Sequence, residues 1–136
     1  MDLEEARSFL REHHHAVMHT YRQDGSPQLS PVAVTVDDRG YAIVSTRETS
    51  IKVTNLERDP RTSLCVFSDA FFGPWIRIDG TVEIVHLPEA LEPLVDYYRR
   101  VAGEHEDWAS YRQAMYDERR VLLRIALIAA GPDVAG

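Results

Sequence analysis

Apolar residues change rhythm repeatedly along this chain, and each change marks an element. Leu3, Ala6, Phe9 and Leu10 recur at helical spacing behind Asp2, with Glu5 three residues beyond it. That is a capping-box pattern, and it predicts a first helix from about Leu3 to Glu12. Ala16–Tyr21 and Gln28–Val36 flank Gln23-Asp24-Gly25-Ser26, and Asp-Gly between two such runs signals a hairpin. A second turn, Asp37-Asp38-Arg39-Gly40, leads into Tyr41–Ser45. Thr49-Ser50 caps a predicted helix over Ile51–Arg58, closed by Asp59-Pro60 because the residue before a proline resists helical geometry.

Thr62–Ser68 reads as the next strand, and Trp75–His86 as the clearest one. Ile76, Ile78, Val82 and Ile84 lie on one of its faces, with Arg77, Asp79, Thr81 and Glu83 on the other. Gly80 interrupts the apolar face and marks a bulge or a close backbone approach. Pro88 opens a helical stripe through Leu91, Leu94, Val95, Tyr98 and Val101, with Gly103 as its stop. Trp108, Tyr111 and Met115 predict one more short helix. Val121–Ala130 is the last strand, broken only by Arg124, and residues 131–136 form a tail behind a single domain of residues 1–130. Six strands and three or four short helices, joined mostly by tight turns, predict a mainly antiparallel sheet that closes into a small barrel to remove its edges.

Composition narrows the function. A length of 136 residues suits one domain, and 44% apolar with 27% charged residues is globular composition. Fifteen Lys and Arg against 22 Asp and Glu give a net charge of −7, which argues against duplex DNA or RNA as a partner but leaves room for one local anion site. Cys65 is the single cysteine, so neither an intrachain disulfide nor a CxxC pair is available. The opening Met1-Asp2-Leu3-Glu4-Glu5 is acidic where a secretory signal is basic and then apolar. The apolar stretch Ile125–Ala130 falls far short of the ~20 residues a membrane helix needs. A soluble, cytoplasmic protein without a membrane partner is the expectation.

Chemistry has few places to sit. Ser50-Ile51-Lys52 opens the second helix, where free amides and the positive dipole end attract anions. A lysine there is misplaced in an isolated helix by roughly 0.3–1 kcal/mol, and a bound phosphate reverses that sign; the plainer reading is a lysine reaching into water. His13, His14, His15 and His19 cluster conspicuously, but on a strand His15 and His19 stand four positions apart, too far to chelate one ion readily. No metal site is expected. Glu104-His105-Glu106-Asp107 offers acid–base groups, yet its position before a helix favours capping. Cys65, between Leu64 and Val66, reads as inert packing. Phe71-Phe72-Gly73-Pro74-Trp75 suits core, a dimer surface or a stacking wall for a planar ligand. GxSxG, Walker, GxGxxG and HExxH motifs are absent, which fits a protein whose reactive atom belongs to a cofactor.

Four stretches carry a family resemblance. Asp24-Gly25-Ser26-Pro27-Gln28-Leu29-Ser30, Lys52-Val53-Thr54-Asn55-Leu56, Arg58-Asp59-Pro60-Arg61 and Ile78-Asp79-Gly80 with Val82 resemble the pyridoxamine-phosphate-oxidase-like split β-barrel flavoproteins. Tyr98 through Met115, continuing to Arg119-Arg120-Val121-Leu122-Leu123, is similar to the actinobacterial branch that uses the deazaflavin coenzyme F420. The resemblance spans about Phe9 to Ile128 and implies a homodimer of six-stranded split barrels with two cofactor sites at the subunit interface. It places the cofactor phosphate near Ser50, Ile51 and Lys52. The ring would lie against Gln28, Ser30 and Pro31, with Ser45 and Thr46 nearby and Trp75 or Phe72 of the other subunit as a wall. Ser50 and Ile51 stand where relatives often carry an arginine, and Pro31 where near relatives carry an asparagine; Arg47 and Arg61 are the candidate replacements. The implied activity is an F420-dependent reductase that transfers a hydride to an unsaturated small molecule. FMN is the alternative cofactor, and a non-catalytic binder of a flavin-like or tetrapyrrole ligand is the alternative function.

Overall fold

A computed structural model describes residues 1–132. In chain order its elements are α1 (Leu3–Glu12), β1 (His15–Tyr21), β2 (Pro27–Val36), β3 (Ala42–Arg47), α2 (Ile51–Arg58), β4 (Arg61–Phe67), β5 (Trp75–Val85), α3 (Leu91–Ala102), α4 (Trp108–Asp117) and β6 (Arg120–Gly131). The strands close into a barrel in the order β1-β2-β3-β6-β5-β4, every neighbouring pair antiparallel. This is the six-stranded split barrel the pattern and the resemblance lead to.

Alternation fills the barrel from each strand. Met18, Val34, Val44, Leu64, Ile78 and Leu123 point inward and are almost fully buried. The two first helices cover opposite mouths. Ala6 and Leu10 of α1 join the barrel core, and Arg7 Nε donates to the Gly40 carbonyl at 3.1 Å, fixing α1 at the β2–β3 turn. At the other mouth Asn55 of α2, itself buried, donates through Nδ2 to Thr20 Oγ1 at 3.1 Å. Thr20 in turn donates to Gln28 Oε1 at 3.1 Å, so α2, β1 and β2 share one buried polar chain. The α3–α4 pair packs outside the barrel, on Ile43 and Leu122, where Leu94, Val95, Tyr111 and Met115 build a second apolar cluster.

The differences from the sequence reading are local. β3 runs through Thr46 and Arg47, because Glu48 N–H still bonds Arg119 O at 2.8 Å across the end of its ladder with β6. Pro88 lies in a turn ahead of α3 rather than in its first helical turn; Ala90 N–H bonds back to His86 O at 2.9 Å and leads the chain into the helix. β6 reaches Gly131, paired with Arg77; residues 133–136 of the expected tail lie outside the described residues. At Gly80 the β5–β6 register shifts. A Cβ there would sit 2.5 Å from the Ala126 carbonyl oxygen, so the glycine serves both a bulge and a close approach.

One ladder is incomplete. β2 and β3 pair only at Val34↔Val44, Thr35↔Ile43 and Val36↔Ala42. Beyond that point Pro27–Ala33 pairs with β1 alone and Ser45–Arg47 with β6 alone. The barrel is split there.

Candidate functional site

The split is held open by a side chain. Val34 N–H bonds His14 O at 2.8 Å, so the amide of Val34 faces β1. By strand alternation Ala33 faces β3, where Ser45 is its next partner in register. Tyr97 of α3 inserts its hydroxyl instead, donating to Ala33 O at 2.8 Å while the Ser45 backbone amide faces the Tyr97 hydroxyl oxygen. Burial pushes the Tyr97 phenol above its ordinary value, so it stays neutral and able to donate.

Lys52 borders the open end. Ser50 caps α2, its Oγ accepting from Val53 N–H at 3.4 Å. Thr46 Oγ1 donates to Ser50 Oγ at 3.3 Å and accepts from Lys52 Nζ at 3.3 Å. Among the described residues no carboxylate pairs with Lys52. Its ammonium is held below the usual lysine value, first by burial and then by the positive charge of Arg120. A half-buried cation facing a second cation, beside free amides at a helix N-terminus, is an arrangement that an anion relieves.

The other residues singled out from sequence fall in distinct places. Gln28 and Ser30 alternate inward on the unpaired part of β2. The Gln28 side-chain amide oxygen is taken by Thr20, whereas Ser30 Oγ is buried without a hydrogen-bond partner among the described residues. Pro31 has no N–H to offer on this edge. Ile51 is 59% exposed and turns away from the core. Ser45 and Thr46 bracket the β3 side of the split.

Trp75 is not brought to it within the chain. The row Trp75↔Phe67, Phe67↔His15, His15↔Ala33 crosses three strand spacings, about 14 Å at ~4.8 Å each. Trp75, Phe71 and Phe72 instead form an exposed aromatic patch, Phe72 being 97% exposed, around a cavity of about 290 Å³ that also includes Cys65 and Phe67.

Arg61 sits at the far end of α2, its guanidinium on Asp59 at 2.7 and 3.0 Å and over the Tyr21 ring at 4.5 Å. Arg47 is closer to the split but leans on Glu118 at 3.6 Å. The arginine whose field reaches Lys52 is Arg120, opposite Arg47 across the β3–β6 ladder. Sequence reasoning missed both Arg120 and Tyr97. Arg120 was visible only as part of a run, and Tyr97 only as a neighbour of the Tyr98 stripe.

The histidines disperse: His14 Nδ1 lies 2.9 Å from Val34 O, and the His19 ring stacks edge-on against Tyr21 at 4.5 Å. Asp107 caps α4 by accepting from Ser110 N–H at 3.1 Å, and Glu104 holds Arg99 and the Trp108 indole at 3.0 and 3.1 Å. The acidic run is thus used for capping and docking. Beside the split, an open cavity of about 500 Å³ lies between β3, β6 and the α3–α4 pair, lined by Ser45, Tyr97, Tyr98, His105, Tyr111 and Arg120 among others.

The sequence profile of pyridoxamine 5'-phosphate oxidase matches residues 3–130. The chain belongs to that family. A conserved hypothetical protein from Mycobacterium tuberculosis is similar in structure at a TM-score of 0.77 and 27% identity, over 100% of this chain and 93% of the other. A structure described as an F420 reductase is similar at 0.71 and 20%, over 92% and 94%. A heme binding protein from Mycobacterium smegmatis is similar at 0.71 and 17%, over 94% of this chain and 52% of the other. The family includes oxidoreductases. No described helix is long and apolar enough to cross a membrane.

Proposed function

We propose that the protein is an F420-dependent reductase that works as a homodimer, with the deazaflavin held in the β2–β3 split. The observation that carries this reading is the pairing of a carboxylate-free, half-buried Lys52 with an orphaned buried hydroxyl, Ser30 Oγ, on opposite sides of an unpaired strand edge. Lys52 and the first amides of α2 hold the phosphate, with Ser50 fixing the helix start. Arg120 and Arg47 add positive potential in a protein of net charge −7. Ser30, the backbone of Pro31 and Ser45–Thr46 face the ring, and Gln28 holds that edge of β2 in place through Thr20.

When bound, the cofactor supplies the hydride-bearing ring. The chain's own residues orient that ring and its acceptor face to face and exclude water. The Phe71–Trp75 patch closes the split from the partner subunit, which accounts for its exposure in one chain.

Side-by-side titration with F420 and FMN tests the reading. Saturable binding of F420 at micromolar concentration or below, weakened at least tenfold in Lys52→Ala, supports it. Preferential FMN binding would move the cofactor to FMN within the same split. No binding of either removes the reading.

A second function is favoured by the likeness to a heme binding protein: a binder of a tetrapyrrole without turnover. Heme binding to the wild type with no hydride transfer to enones or quinones would select it.

A further inference from the structure

The edge that β2 turns to the split has a gap in its row of donors. Val34 N–H bonds His14 O at 2.8 Å, and the β1–β2 register sets Ser30 opposite Met18, Pro31 opposite Val17 and Val32 opposite Ala16. By alternation Ser30 and Val32 bond β1, whereas Leu29, Pro31 and Ala33 turn their backbone groups to the open side. Ala33 O is taken by the Tyr97 hydroxyl at 2.8 Å, and Leu29 O receives Gln28 Nε2 at 3.5 Å. Pro31 stands between them with a carbonyl oxygen and no N–H. From Leu29 to Ala33, about 13 Å at ~3.3 Å per residue, the edge therefore carries no backbone donor between its two ends. The side chains do not close the gap. Those of Leu29 and Pro31 are apolar, and Ser30 Oγ projects from the interior face of the strand, off the line of the backbone groups.

We propose that this gap makes Pro31 a specificity-determining residue, which selects a deazaflavin ring over a flavin ring; the selectivity rests on the cofactor reading above. Tyr97 bounds the edge at Ala33, and the Gln28–Thr20–Asn55 chain bounds it at the other end. A three-ring ligand laid between these limits has its central ring beside Pro31. The two ring systems differ in that ring: position 5 is a nitrogen in oxidised FMN and a carbon bearing hydrogen in F420. The nitrogen accepts a hydrogen bond in water. Opposite a carbonyl oxygen it gives up that bond without replacement. The C–H group gives up nothing and meets the Pro31 carbonyl as a weak donor. A site that lacks the matching donor rejects the analogue that needs it. A proline on a strand edge also discourages pairing between sheets, but that role draws no distinction between ring nitrogen and ring carbon.

The test needs ligands that differ at that one position. FMN and 5-deaza-FMN, in which C–H replaces the ring nitrogen, are each titrated by fluorescence into the full chain, beside F420. The wild type is expected to bind 5-deaza-FMN about fivefold tighter than FMN, the worth of one neutral hydrogen bond. Pro31→Ala returns the N–H and should tighten FMN by about the same factor, with 5-deaza-FMN and F420 unchanged. Should Pro31→Ala fail to fold, Pro31→Val restores the same N–H with a residue that suits a strand. A wild type that binds FMN as tightly as 5-deaza-FMN, or a variant that moves both ligands alike, overturns the proposal and leaves the cofactor reading standing if F420 binds. A protein that binds none of the three defeats the cofactor reading, and the role of Pro31 goes with it.

Discussion

The Tyr97 hydroxyl donates to the Ala33 carbonyl at 2.8 Å in the place where the Ser45 amide of β3 would otherwise bond. A helix outside the barrel thereby sets how far two of its strands stay apart. Tyr97→Phe removes the bridge and leaves a carbonyl and an amide to find each other or go unpaired. The expected loss of stability is about 1–2 kcal/mol by urea unfolding, together with weaker cofactor binding as the split narrows. Unchanged affinity in this variant would mean that the tyrosine supports the fold alone.

Lys52 gives a pH dependence with a definite sign. Its ammonium is charged below a value that burial and Arg120 hold under 10.5. Phosphate affinity is therefore full well below that value and falls as pH rises through it, earlier than an ordinary lysine would allow. In the unliganded protein the same depression is a cost of carrying the charge, and that cost fades as pH rises through the lowered value. Lys52→Met should leave apo stability equal or higher by a few tenths of a kcal/mol while binding is lost. Isothermal titration from pH 7 to 10, with thermal melts of both proteins, checks both halves.

Gly80→Ala should cost about 1–3 kcal/mol, the range of overpacking in a tight site. The new methyl group meets the backbone oxygen of Ala126 at 2.5 Å and Ile125 Cγ2 at 2.6 Å, and backbone cannot step aside as a side-chain end can. A melting temperature equal to the wild type would show that the bulge relaxes freely.

The exposed Phe72 tests the dimer. Phe72→Glu should shift the protein to monomer in sedimentation velocity and weaken cofactor binding in parallel, with little change in the melting of the monomer itself. A monomeric wild type would remove the interface from the proposal.

Local periodicity carried most of the fold in the sequence. Alternation along Trp75–Val85, the caps at Asp2 and Ser50 and the Asp24-Gly25 turn are short-range signals, and the structure realises each of them. Lys52 was legible because a helix start and its charge lie within three residues. Tyr97 and Arg120 were not, since their roles depend on where α3 and the start of β6 meet β3, contacts that link residues 97 and 33, or 120 and 47. Arg61 was misleading for the same reason. It lies close to Lys52 in sequence, yet α2 carries the two ends apart by about 12 Å at ~1.5 Å per residue, and Asp59 holds the guanidinium where it lands.

The six seams of the barrel are unequal. β5 and β6 are joined from Arg77↔Gly131 to Val85↔Leu122, while β2 and β3 meet at three pairs. Breathing motions of such a wall begin at its weakest seam, so the amides of Leu29, Ala33, Ser45 and Arg47, which face the split by strand alternation, should exchange with solvent water ahead of the rest of the sheet. Any molecule seated there acts as a zip fastener, and the slowing of that exchange would trace its outline residue by residue.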